Sequence, residues 1–340
     1  LNDDAGFSSP PVPKISAMPY PISDHFDSKL FFNPEPTTRA VNGKRLNLFT
    51  ILRARMRRNS EEWSTWPEHV ENRHYPVPTV EPPTISFIGH STFLLRLPGL
   101  TILTDPVFSD RCSPSQFVGP KRVRAPGLAL SHLPHIDLIL LSHNHYDHMD
   151  LISLRQLRAR FPKLAIVTML GNAAYLRKKG IPGAVELDWW QSHRHGESLI
   201  TATPARHFGA RTLNDRNTTL WGGLFLEHQG QKIYFAGDTG ATKFFKAIHT
   251  RLGAPDLALL PIGAYEPRAW MSAVHINPEE AVQAFLDLKA KRAIGMHFGT
   301  FQLTAEAIDA PLHALAAARH EAGLMEEDFF TLDFGETLRL

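Results

Sequence analysis

The stretch LSHNHYDHMD, residues 141–150, places His143, His145 and His148 beside Asp147 and Asp150. It begins inside IDLILLS (136–142), a short apolar run bounded by polar residues, which reads as a buried strand. The chain leaves that strand straight into four potential metal ligands, His143, His145, Asp147 and His148, packed within six residues. Imidazole and carboxylate are the groups zinc accepts when no thiolate is offered, and a single Cys112 excludes a cysteine-based site. On an extended backbone His143, His145 and Asp147 fall on one side and His148 on the other. One loop can therefore face two ions, and ordinary hydrogen bonding is a poor account of such density at a strand end.

Two ions need more ligands than this loop holds, so other strand ends must supply them. Outward from 136–142, TISFIGHSTFLLRL (84–97) reads as one strand, joined by a Pro-Gly turn to LTILTDP (100–106). LAIVTML (164–170), SLITATPA (198–205), DLALLPIG (256–263), KRAIGMHFG (291–299) and FFTLDFGETLRL (329–340) are further strand candidates. LWGGLFLEHQGQKIYFAGD (220–238) reads as a hairpin turning at Gln229–Gly230. His207, Asp238 and His297 stand where three of these patterns stop, each within two residues of a glycine that lets backbones approach closely. NPEEAVQAFLDLKAK (277–291) is a helix with Asn277 as its cap, Pro278 in the first turn and Glu280 completing a capping box. Strands with helices between the later ones predict packed sheets with helices outside.

Composition sets the bounds. Of 340 residues, 43% are hydrophobic and 21% charged, as in a soluble globular protein. A net charge of +2 without a basic stripe argues against nucleic acid as a partner. No apolar run is long enough to span a bilayer, which leaves a soluble or peripheral membrane protein; starting on Leu1, the chain is compatible with a removed signal peptide. Residues 1–36 read as an extended arm or disordered leader. Within 43–59, Leu48, Leu52 and Met56 line one helical face, among Arg53, Arg55, Arg57 and Arg58. That helix either covers the core or lies on an anionic membrane. The expected organisation is an N-terminal extension over 1–80 and one catalytic domain over 81–340.

HNHYDH matches the HxHxDH signature of the metallo-β-lactamase superfamily, and His207, Asp238 and His297 follow in the order of its remaining ligands. LTDPVFSDRCSPSQFVGPKRVR, ELDWW, FAGDTG, PIGAYEPRAWM with HINPEEA, and HFGTF resemble, within it, the N-acyl-phosphatidylethanolamine-hydrolysing phospholipase D family. The resemblance spans roughly residues 84–335. It implies an α/β four-layer αββα sandwich with two Zn²⁺ at one edge, bridged by water or hydroxide. His143, His145 and His207 would hold one ion, Asp147, His148 and His297 the other, and Asp238 both. It also implies a substrate contact for Tyr146, with packing against the neighbouring loop as the alternative, and supporting roles for His90 and Asp105, while Asp150 lies outside the motif as a second support or a helix cap.

Charge counting on that implied ligand set constrains the substrate. Two dications against two ligand carboxylates and one hydroxide leave a single excess positive charge, suited to a phosphodiester. Asp147 is expected to orient the nucleophile, and His275 to bind phosphate or protonate the leaving alkoxide, near the positive end of the helix that starts at 277. No histidine is followed by Lys at the second position, which excludes the phospholipase D chemistry of the His-x-Lys motif. Trp189, Trp190 and Trp270 are expected in the core, with an acyl-chain channel as the alternative for Trp270. The leading reading is release of N-acylethanolamine and phosphatidic acid from an N-acylated phosphatidylethanolamine. Phospholipid and a membrane surface are the expected partners, and a homodimer is allowed. Against it stand a hydrolase of the same fold acting on another phosphodiester or a lactone, and a lipid-binding module whose metals are structural.

Overall fold

A computed structural model describes residues 20–35, 40–41, 44–45, 63 and 81–340. Two short strands come first, β1 (Ala40–Val41) and β2 (Lys44–Arg45), paired antiparallel. Lys44 and Arg45 fall inside the expected 43–59 helix but are extended; the rest of that helix lies outside the described residues.

The remaining strands form two seven-stranded mixed sheets. The first contains β3 (Thr84–Gly89), β4 (Thr92–Leu97), β5 (Leu100–Thr104), β6 (Leu138–Leu141), β7 (Ala165–Met169) and β8 (Ala184–Leu187). The second contains β9 (Ser192–His195), β10 (Ser198–Thr203), β11 (Gly223–His228), β12 (Gln231–Phe235), β13 (Leu257–Pro261), β14 (Arg292–Met296) and β15 (Phe329–Phe330). The last strand, β16 (Thr337–Arg339), returns to pair with β3 at the edge of the first sheet. The β11–β12 hairpin turns at Gln229 (φ 46°) and Gly230 (φ 84°), the pair of positive φ values a two-residue turn demands.

Period-two alternation splits the first sheet's apolar residues between two cores. Phe93, Leu95, Ile102, Leu138 and Leu140 pack in the core shared with the second sheet. Leu94, Leu103, Ile139 and Leu141 face the other way, where Leu154 and Leu157 of the helix Leu151–Arg160 and Leu176 of Asn172–Lys178 cover them. Helices Phe244–Leu252, Pro278–Leu288 and Ala310–Glu321 bury their apolar sides in the core that includes the second sheet. The result is the expected four-layer αββα sandwich.

Further expectations change, and FFTLDFGETLRL divides between the sheets as β15 and β16. TISFIGHSTFLLRL is two antiparallel strands, because Gly89 (φ 139°) and His90 (φ 57°) turn the chain in mid-pattern. The described part of the leader is not disordered. Residues 20–35 dock as a strap, with Phe26 and Phe31 each 1% exposed. His25 stacks on Trp189 at 4.2 Å and bonds Asp188 at 2.7 Å, while the Tyr20 hydroxyl donates to Glu186. ELDWW is thus the strap's seat. Of the three tryptophans, only Trp189 is fully buried; Trp190 packs at the core's margin under Arg251, and Trp270 is half-exposed on the short helix Arg268–Met271.

Candidate metal centre

β3, β5, β6, β10, β12 and β14 all run in one sense within their sheets, and their C-terminal ends meet at one edge of the sandwich. This is where open α/β sheets leave room for ligands. His90 follows β3, Asp105 follows β5, the 143–148 loop follows β6, and His207, Asp238 and His297 follow β10, β12 and β14.

All seven proposed ligands converge. One set joins His143, His145, His207 and Asp238; a second joins Asp147, His148 and His297 with His90; within each, the candidate atoms lie within 4.8 Å of one another. His145 Nδ1 is 2.9 Å from His143 Nε2 and 3.2 Å from His207 Nε2. Asp238 Oδ2 reaches both sets, at 3.1 Å from His148 Nε2, 3.2 Å from His297 Nε2 and 3.7 Å from His207 Nε2. Asp147 Oδ2 stands 3.3 Å from His297 Nε2 and 3.4 Å from His148 Nε2.

One geometric expectation fails. Asp147 and His148 share a set, although strict alternation would separate them. The loop is not extended: the amides of His148 and Met149 both donate to the His145 carbonyl, and this tight turn swings the two side chains together.

The surroundings fix which nitrogen of each ring faces inward. His207 Nδ1 meets the Val274 carbonyl at 2.9 Å, His148 Nδ1 the Asp105 carboxylate at 2.7 Å, and His143 Nδ1 the Ser142 hydroxyl at 2.9 Å. Such outer partners set the tautomer that leaves Nε2 free to bind a metal. His148 Nε2, His297 Nε2 and Asp238 Oδ1 are buried and lack a hydrogen-bond partner, which fits a set of donors built for cations. Burial pushes His143 well below the usual imidazole value, His145 to about 3 and His207 to about 4, so these rings offer lone pairs at neutral pH. Burial raises Asp147 and Asp238, but the neighbouring imidazoles, His148 foremost, outweigh it and hold both well below the carboxylate range. The same carboxylates raise His148, and His297 to about 9, against their burial. A bound dication would displace those protons.

Close approach needs glycine at two places. A Cβ on Gly263 would sit 2.2 Å from the His297 carbonyl oxygen, and one on Gly237 2.6 Å from Ser142 Cβ. His90, Asp105 and His297 themselves take positive φ, at 57°, 29° and 65°. His90 is nearer the centre than a support beneath the loop: its Nε2 meets Asp147 Oδ2 at 3.0 Å, and its ring lies 4.0 Å from that of His297. Asp150 accepts from Ile152 N as a helix cap and from the Ser109 hydroxyl, and belongs to neither set. His275 is buried with Nδ1 unpartnered, 3.9 Å from Asp238 Oδ2. Tyr146 packs on the 208–218 loop, its hydroxyl donating to the Arg211 carbonyl at 3.0 Å.

Several contributors escape a reading of the sequence. Arg211, 8% exposed, donates to the carbonyls of Asn144 (2.6 Å) and Met149 (2.8 Å) and stacks on Tyr146 at 3.9 Å, clamping the metal loop from outside. Buried Glu306 accepts from the amides of Ala264, Tyr265 and Glu266, and so shapes the GAYEPR loop. Arg268 joins that loop to HINPEEA, donating to the His275 carbonyl at 3.0 Å and to Glu280 at 2.6 Å. Asn33 of the strap pairs its amide with the backbone of His207. Only Glu280 carried a signal, its capping-box position.

Fold and site together define a metal-dependent hydrolase of the metallo-β-lactamase type. Residues 101–298 match the family described as "Beta-lactamase superfamily domain", and the chain belongs to that superfamily. It is 35% identical to the N-acyl-phosphatidylethanolamine-hydrolyzing phospholipase D 1 of Caenorhabditis elegans, over 91% of this chain and 92% of that one. It is 40% identical to an uncharacterized protein of Mycobacterium tuberculosis, over 82% of this chain and 77% of that one. Among solved structures, an isothiocyanate hydrolase from Delia radicum gut bacteria superposes with a TM-score of 0.59 at 20% identity, covering 76% and 99% of the two chains, and shares the fold. Membership of a hydrolase family sets aside the reading as a lipid-binding module. No helix among the described residues is long and apolar enough to cross a membrane.

Proposed function

We propose that this chain hydrolyses N-acyl-phosphatidylethanolamine to N-acylethanolamine and phosphatidic acid, with two zinc ions as cofactors. His143, His145 and His207 would hold one ion and Asp147, His148 and His297 the other, with Asp238 within reach of both sets. The observation that carries the reading is this shared carboxylate, 3.2 Å from His297 Nε2 and 3.7 Å from His207 Nε2, with His275 Nδ1 unpartnered beside it. Bound there, such ions would supply a nucleophile of lowered pKa and neutralise charge on the phosphodiester. Asp147, fixed by His90, orients that nucleophile. His275, its backbone carbonyl held by Arg268, turns Nδ1 toward the phosphate or the departing alkoxide. Phosphorus gains an oxygen from water as its bond to the ethanolamine oxygen breaks, and that oxygen takes up a proton. Tyr146 keeps its hydroxyl on Arg211, which leaves its ring edge for substrate.

The similarity to the nematode phospholipase D supports the lipid class. The test incubates zinc-loaded protein with N-acyl-phosphatidylethanolamine, other phosphodiester lipids, cyclic nucleotides and a lactone, beside Asp147→Asn. Release of N-acylethanolamine by the parent alone is expected. Turnover confined to nucleotides or lactone would replace the substrate and keep the centre.

A further inference from the structure

Large apolar side chains exposed singly are ordinary on a soluble protein. Here they are not scattered. Of nine among the described residues, six belong to three segments that touch the metal loop or His207: Ile22 (73% exposed), Leu30 (42%), Phe32 (38%), Phe117 (90%), Val118 (66%) and Leu213 (98%). The segment carrying Phe117 bonds Asp150 through the Ser109 hydroxyl at 2.6 Å, and its Val107 and Cys112 pack against Tyr146. The segment carrying Leu213 receives the Tyr146 hydroxyl on the Arg211 carbonyl. The strap bonds that segment in turn, Phe31 N to Asn217 O at 2.9 Å, before Asn33 reaches His207.

These positions are held in place. Gln116 and the Arg111 backbone exchange two hydrogen bonds at 3.1 Å just before Phe117. Asp215 accepts from the amides of Arg211 and Thr212 just before Leu213. Polar contacts thus fix segments beside the metal loop that present apolar side chains to solvent. Cations stand among them: Lys29 and Lys121 are exposed, and Arg216 lies over the Phe208 ring at 3.9 Å. Apolar side chains that can enter the acyl region, beside cations that can meet lipid phosphates, are the chemistry of an interfacial contact.

We propose that Phe117, Val118 and Leu213 insert into an anionic phospholipid surface, with Lys29, Lys121 and Arg216 on its phosphates, so that the metal centre is seated over the bilayer. This rests on the reading that the substrate is a membrane phospholipid. The test sediments the zinc-loaded chain with vesicles of phosphatidylcholine and phosphatidylglycerol that contain no substrate. Phe117→Ser with Leu213→Ser should lower partition by about tenfold or more, and leave hydrolysis of a water-soluble phosphodiester unchanged. Phe117→Trp should be quenched by brominated acyl chains. Equal partition of parent and double variant would overturn the proposal, as would a Trp at 117 that brominated lipid does not quench. Because the vesicles carry no substrate, the two readings fail separately. Quenched, lipid-bound protein that releases no N-acylethanolamine sinks the reaction alone, and release from detergent-dispersed lipid without tip-dependent partition sinks only this surface.

Discussion

Replacing Arg211 by Met keeps the side-chain stem and removes the clamp on the metal loop. Two well-formed bonds disappear, to Asn144 O at 2.6 Å and Met149 O at 2.8 Å; the approach to His145 O at 3.5 Å is too long to count. Hydrogen bonds to a charged donor contribute about 1.5–3 kcal/mol each. Removing a buried charge also recovers its desolvation cost, so the low end applies, and the loss is about 3 kcal/mol. In a chain of this size that lowers Tm by about 5 °C. The clamped segment carries four of the seven ligands, so metal affinity should fall about tenfold or more, as when an outer partner of a metal site is lost. Differential scanning calorimetry and chelator competition measure the two quantities. Arg211→Lys should recover only part of each, because a single ammonium cannot span both carbonyls in Arg's planar fork. An Arg211→Met protein that unfolds and binds zinc like the parent would refute the clamp. One that loses stability alone would reduce Arg211 to packing.

Asp238→Ala should remove both ions and His207→Ala only one, read by metal analysis after dialysis; one ion retained in Asp238→Ala would deny the shared carboxylate. Gly263→Ala puts a methyl 2.2 Å from the His297 carbonyl, so it should yield insoluble protein or lose activity entirely, and a soluble, active variant would contradict the close approach. His25 is buried, which lowers its pKa, yet Asp188 and Asp24 raise it above the ordinary imidazole value. A folded-state pKa above the unfolded one gives stability that is fully present below about pH 6.5 and lost as pH rises through the folded value. The difference in urea midpoint between parent and His25→Gln should therefore shrink from acid to alkaline pH, and a difference that grows would reverse the assignment.

The convergence of the candidate ligands could be read from the chain because strand ends and titratable residues are local facts. Asp238 after KIYFAG and His297 in GMHFGT needed no tertiary knowledge to be suspected. Their division between two sets was not legible from alternation, since the bonds of His148 N and Met149 N to His145 O fold the loop instead of extending it. The β3–β4 turn was hidden for a similar reason: apolar residues run through 84–97, and only Gly89–His90 hints at a break. Arg211, Glu306 and Asn33 act across the fold, 62, 42 and 174 positions from a partner, where sequence pattern has no reach. The strap looked like a leader because Phe26 and Phe31 are isolated anchors in a segment without periodicity.

Strain and support at the centre point to one order of events in assembly. His90, Asp105 and His297 hold positive φ, each costing about 1–3 kcal/mol for a residue with a Cβ. Groups that do not face the centre restrain them. His297 N donates to His90 O at 2.8 Å across the two sheets, Asp105 takes Ser142 N and His148 Nδ1 at 2.7 Å each, and Gly263 lets the next loop close against His297. Bonds of this kind belong to folding and not to ligation. Metal should therefore add to the stability of an already formed sandwich, unlike a small zinc module that folds only around its ion. Chelation should lower Tm while near-ultraviolet circular dichroism from the buried Trp189 and Trp221 persists. If chelated protein instead lost that signal at room temperature, the cations would be holding the two sheets together, and the cross-sheet bond of His297 to His90 would be their consequence and not their support.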